Sequence, residues 1–143
     1  MGPKGRPGKW RDGGGTLLVA EDPIPPAPQA PLAPLAPQTP LAPLEIAASY
    51  RARRRGLLGR DGIEGAMLIT RTNSIHTFGM RFAIDVAYLD RNLTVLAVVT
   101  MRPGRLGMVR PRGRHVLETE AGAMAGWGLR KGVRVTVVPS QAA

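Results

Sequence analysis

The chain has 143 residues, which is room for one domain and not for most multidomain enzymes. It has no cysteine, so disulfides, thiolate metal sites and cysteine nucleophiles are excluded together. Its 20 Lys and Arg stand against 10 Asp and Glu, a net charge of +10 that suits phosphate or another anion. Arginine supplies most of that charge, and guanidinium forks match phosphate and carboxylate. The same bias, shared with Ala, Gly and Pro, is also what a GC-rich coding sequence produces. No apolar run approaches the ~18 residues of a membrane span. The early run Thr16–Ala20 is shorter than a signal-peptide core, so a cytoplasmic location is expected.

The first 43 residues hold eleven of the 14 prolines. Residues 1–15 are Gly, Pro and charge and read as a disordered leader. Thr16–Ala20 is short and branched enough for a strand. The stretch 21–43 repeats Ala-Pro-Leu units, which suit polyproline II and remove ladder donors. Leu44–Ala47 alternates like a second strand. The two strands are expected to pair as a hairpin with 21–43 as a disordered insertion at its tip. Lengthening a loop fivefold costs only ~1.4 kcal/mol. Burying Leu17 and Val19 returns ~1.5–3 kcal/mol each.

Ser49 is placed to cap a helix reaching about Leu58, with Tyr50, Leu57 and Leu58 on one face. Arg53, Arg54 and Arg55 fall in its last turns, where cations oppose the helix dipole, and Gly56 or Gly59 ends it. Strands are predicted at Ala66–Thr70, at Phe82–Leu89 with Phe82, Ile84, Val86 and Tyr88 on one face, and at Leu93–Thr100 with Val95, Ala97 and Val99 aligned. The last two form a hairpin across Asp90-Arg91-Asn92. A Gly/Pro/Arg loop spans Arg102–Arg114, followed by a strand at His115–Thr119 and one helical turn around Ala121, Met124 and Ala125. Val133–Val138 alternates as a last strand, leaving 139–143 as a tail. The fold class expected is α+β, mostly β: a small antiparallel or mixed sheet, or a partly closed barrel, with two short helices in one domain over 16–138.

Three stretches carry a family signal: Arg51–Arg60, Ile75–Asp90, and Val116–Gly122 followed by Gly128–Gly132. Together, in order and spacing, they resemble the prokaryotic family known as domain of unknown function 192, from about Leu44 to Val138. The resemblance implies a compact β-rich domain and brings no established activity or cofactor. Ala83 replaces a proline common in the family before Ile84-Asp85. Val133 stands where the family often has Asp, so no metal or acid–base role is carried over there.

The candidate pocket is built from His76, Thr77, Met80, Arg81, Asp85, Asp90 and Glu118. As an enzyme site, His76 would be a general base oriented by Asp85, yet no activated nucleophile accompanies them. As a metal site, His76 and Met80 are too few ligands, so no metal and no cofactor is expected. The structural alternative has Thr77 and Asp85 satisfying backbone donors, Met80 and Phe82 filling core, and Glu118 neutralising a nearby arginine. Arg102, Arg105, Arg110, Arg112 and Arg114 form a candidate basic patch, a lesser expectation of nucleic-acid binding because aromatic residues are only 4% of the chain. The favoured expectation is a non-catalytic binding or accessory domain with a protein or small-molecule partner.

Overall fold

The computed structural model describes residues 10–19 and 40–140. Seven strands and two short helices follow in order: β1 (Gly13–Val19), β2 (Pro40–Ala47), α1 (Tyr50–Arg55), β3 (Ala66–Thr70), β4 (Ile84–Leu89), β5 (Val95–Met101), β6 (His115–Glu120), α2 (Ala123–Gly126) and β7 (Val135–Pro139). They form one mixed sheet in the order β5-β4-β6-β3-β2-β1-β7. All neighbours are antiparallel except β2 and β3, whose parallel pairing needs the crossover that α1 supplies. The sheet curls until its edge strands touch. Thr94 bridges Arg134, and the N–H groups of Val95, Gly132 and Val135 donate to the carbonyls of Val133, Val95 and Leu93 at 2.8–3.0 Å. The fold is the mostly β, partly closed architecture expected, with two short helices.

The two faces of the sheet bury two apolar clusters. The inner one draws on every strand, through Leu17, Leu44, Leu68, Leu89, Val95, Leu117 and Val135, and is plugged by Met124 of α2. The outer one lies on the central strands, through Met67, Ile69, Ile84, Val86, Tyr88 and Val116. Leu57, just past α1, and Ile75 and Met80 of the β3–β4 loop cover it. Strand β3 is buried at all five positions because both of its faces are covered.

Several boundaries differ from the sequence reading. Residues 10–15 belong to the fold and are not part of a leader. Gly13–Gly15 pair with Leu44–Ile46, Trp10 packs on the inner cluster, and Asp12 Oδ1 accepts the N–H groups of Ala48 and Ser49 at 2.6 and 2.8 Å. Residues 1–9 lie outside the described residues. At the other end Pro139 is the last residue of β7 and Ser140 N–H donates to Gly14 O, so these two are no tail. Gly15 suits this place because a Cβ there would meet Val138 O at 2.7 Å, across the β1–β7 pair.

Of the proline stretch expected to form no ladder, Pro40–Pro43 is the start of β2 and pairs with β1. Proline is tolerated because the β2–β3 ladder begins only at Leu44↔Ala66. Pro43's carbonyl points at Gly65 on that side, so its missing N–H leaves no ladder bond unmade. The connection between β1 and β2 lies outside the described residues.

Ser49 caps α1 as its position suggests, its Oγ accepting Ala52 N–H at 3.1 Å. Gly56, at φ +46°, ends the helix at Arg55, a turn earlier than Leu58. Tyr50, expected on the buried face, is exposed. The alignment of Val95 with Ala97 and Val99 is broken by a bulge opposite Tyr88/Leu89. Val95 therefore enters the inner cluster while Leu96, Ala97 and Val99 pack outside.

Candidate functional site

Strand β4 separates the two residues of the enzyme hypothesis. Asp85 alternates with Ile84, Val86 and Tyr88, which point outward, so it lies on the inner side with Ala87 and Leu89. Its Oδ1 accepts from Thr100 Oγ1 at 2.6 Å, and its Oδ2 from the N–H groups of Gly122 and Met124 at 2.8 and 3.3 Å. It ties α2 to the sheet. His76 is on the other side, in the loop that covers the outer cluster, exposed and stacked on Phe78 with centroids 5.2 Å apart. A base oriented by Asp85 is therefore ruled out at His76.

The remaining candidates divide. Thr77 is buried and stitches two loops: its Oγ1 donates to Arg102 O at 2.6 Å and accepts from Arg105 N–H at 2.8 Å. Arg81 pairs with Asp61 at 3.3 Å in solvent. Asp90 Oδ1 accepts the N–H groups of Asn92 and Thr94 and holds the β4–β5 turn. His76, Met80 and Glu118 converge on one cavity of about 290 Å³ beneath α1, with Leu57, Ile69 and Val116 in its wall. Arg53, Arg54 and Arg55, from the last turn of α1, also border it.

Glu118 is the chemically distinctive group there. The sequence suggests that it neutralises an arginine, but no ion pair reaches it among the described residues. Position 118 of β6 faces outward, opposite Val86 on one side and Met67 on the other, both members of the apolar outer cluster. Its Oε2 is buried with no hydrogen-bond partner. Burial pushes its carboxyl up to about 7, because a charge is poorly solvated among apolar side chains. Near neutrality the group is poised between a neutral O–H donor and an anion.

The basic patch does not stay together. Arg102, Arg105 and Arg110 border a separate cavity of about 460 Å³ with Tyr88, over whose ring the Arg110 guanidinium sits at 5.2 Å. Burial raises the Tyr88 hydroxyl above its usual range, with Arg110 opposing. Arg112 stays exposed. Arg114, just before β6, instead joins Arg71, Arg91 and Arg134 around a third cavity. These three, and Trp10 beside them, carry no local sequence signal, since only the folded sheet brings positions so far apart together. Among the described residues no three His, Cys, Asp or Glu side chains gather as a metal site, and no helix is long and apolar enough to cross a membrane.

Comparison with known proteins agrees with the fold. A UPF0127 protein of Pyrococcus horikoshii is 36% identical over 84 residues, covering 55% of this chain and 73% of that relative. A UPF0127 protein of Pyrococcus abyssi is 34% identical over 99 residues, covering 66% of this chain and 80% of that relative. A crystal structure from Sinorhizobium meliloti, described as a candidate transcription regulator, superposes with a TM-score of 0.67 at 17% identity over 91% of this chain and 98% of that one. A protein of unknown function from Novosphingobium aromaticivorans gives 0.63 at 14% identity, covering 85% of this chain and 83% of that one. At such identities the two structures speak for the fold alone. Residues 36–137 match the family model described as an uncharacterized ACR, so the chain belongs to the domain of unknown function 192 family.

Proposed function

We propose that the chain is a non-catalytic binding domain whose ligand site is the cavity beneath α1. One observation carries this reading: Glu118 borders the cavity and holds a buried carboxyl oxygen with no hydrogen-bond partner, beside the apolar side chains of Leu57, Ile69, Met80 and Val116. Leaving such an oxygen without a partner costs on the order of 1–3 kcal/mol, which a ligand group in the cavity would recover. The volume of about 290 Å³ is at the lower end for ligand pockets and fits a compact metabolite. Protonated Glu118 would donate to a carbonyl oxygen at depth. The cations of α1 and His76 at the border favour an anionic group nearer solvent. The ligand class that satisfies both is a short organic acid with an apolar body and a second acceptor, such as a branched 2-oxo acid.

The test is a thermal-shift and calorimetric titration with 2-oxo acids of about four to six carbons, at pH 6 and pH 8, on the wild-type chain and Glu118→Leu. Binding at pH 6 that weakens at pH 8 and vanishes in Glu118→Leu is the expected result. Equal response of the two proteins, or no response of either, overturns the reading.

A further inference from the structure

We propose a second, independent site: the arginine-lined cleft at the seam of the curled sheet binds a small organic polyanion that carries a ring. The cleft encloses about 830 Å³. Arg71 follows β3, Arg91 lies in the β4–β5 turn, Arg114 precedes β6 and Arg134 precedes β7, so four separate segments each deliver one guanidinium. Among the described residues no acidic side chain borders it.

Among the described residues none of the four cations has a carboxylate partner. Arg71 donates to Ala48 O, Arg114 to the carbonyls of Pro111 and Gly113, and Arg134 to Asn92 O. Each of these bonds orients a guanidinium and uses only part of its five donors. Arg91 has no partner among the described residues. Of the described carboxylates, Asp90 Oδ1 is engaged by the N–H groups of Asn92 and Thr94, and Asp12 Oδ1 by those of Ala48 and Ser49. Four like charges around one cavity repel one another, and a polyvalent anion would relieve that repulsion.

The walls add shape. Trp10 is half-buried and set edge-on to His115, with centroids 5.5 Å apart, leaving a flat apolar surface beside the cations. His115 Nδ1 accepts Arg71 N–H at 3.0 Å, and burial together with Arg114 lowers its basicity, so the ring is a fixed neutral wall at neutral pH. Arg71 and Leu93, the two non-glycine residues with positive φ among the described residues, both border this cleft, at φ +54° and +63°. Backbone held in that region costs about 1 kcal/mol or more per residue and concentrates at functional sites. A single aromatic wall suits one ring. A nucleic-acid strand needs a row of them along an open groove.

Inorganic pyrophosphate, ADP and a twenty-nucleotide single-stranded RNA serve as probes, titrated calorimetrically into the full chain at low and moderate salt. Arg91→Ala removes a side chain with no hydrogen-bond or ion-pair partner among the described residues, and Arg134→Gln removes a second charge from another segment. The expected result is saturable binding of both diphosphates, tighter for ADP. Each variant should weaken it about tenfold while leaving the thermal midpoint unchanged. Glu118→Gln should bind these probes as the wild type does, which separates this site from the cavity beneath α1. No heat with either diphosphate at millimolar concentration overturns the proposal. So does equal affinity of wild type and both variants, or RNA binding more tightly than ADP. Equal affinity for pyrophosphate and ADP overturns the role given to Trp10.

Discussion

Asp85 and Glu118 are buried to the same degree, each with 3% of its surface exposed, on neighbouring strands and nearly opposite one another. Their circumstances are nevertheless opposite. Asp85 faces the inside of the curl, and its two oxygens accept three hydrogen bonds that hold α2 and β5. Glu118 faces outward beneath α1, with one oxygen unpaired beside a cavity. Equal burial therefore does not imply equal role. A carboxyl whose partners are all internal is a structural tie, whereas one left short of partners beside open volume is available to something that enters.

Replacing the inner carboxyl gives the largest effect. Asp85→Ala strands the N–H groups of Gly122 and Met124 and should cost about 4 kcal/mol, read as a lower urea midpoint at pH 7. An unchanged midpoint would erase the distinction between the two groups.

Glu118→Gln should act in the opposite direction and only at higher pH. Below the ordinary value of 4.5 the carboxyl is protonated in both folded and unfolded chains, so its ionisation costs nothing. Between 4.5 and about 7 the unfolded chain loses its proton first, and stability falls as pH rises. Above 7 the folded chain carries a buried charge. Gln removes that burden and should stabilise the protein by about 2 kcal/mol at pH 8, with little difference at pH 4. Denaturant curves at the two pH values decide it, and a gain that is the same at both would sink this account.

Asp12 is a third carboxyl with internal partners, but it lies near the surface. Asp12→Ala should cost about 1 kcal/mol through loss of the Ala48 and Ser49 N–H bonds. Hydrogen bonding from the Ser49 side chain, and then these N–H bonds, hold its carboxyl below the usual range, so the contribution is present above pH 3.8 and fades as pH falls through the lowered value. The smallest effect belongs to the exposed pair. Arg81→Ala, breaking the contact with Asp61, should change stability by less than about 0.5 kcal/mol, and any larger shift in melting would give that pair a weight its exposure denies.

Periodicity locates most strands, because alternation such as Val135 and Val137 of β7 reports a half-buried pleat directly. Polar spacing also exposed Ser49 as a cap, since that bond spans only three residues. What sequence could not deliver was anything requiring knowledge of which face is covered. Glu118 occupies an outward position of β6, which reads as solvent-facing until α1 and the β3–β4 loop are laid over it. The bulge in β5 reversed the parity of Ala97 and Val99 for a similar reason: it depends on pairing with β4 and not on β5 itself. Gly13–Gly15 has little strand propensity, and only its place between β2 and β7 makes it a strand.

The seam between β5 and β7 is a short join in an otherwise well-laddered sheet. Every other neighbouring pair of strands is registered over at least four residues, whereas the edges meet at Thr94↔Arg134 with three hydrogen bonds around it. A curled sheet fastened so briefly should unzip there first. The amides of Val95, Gly132 and Val135 would then exchange with solvent deuterium as one cooperative group, ahead of those linking β4 to β6. Once parted, β5 and β7 become two bare strand edges, the kind of surface on which chains add to one another, so the brief seam sets how often this protein exposes a template for self-association.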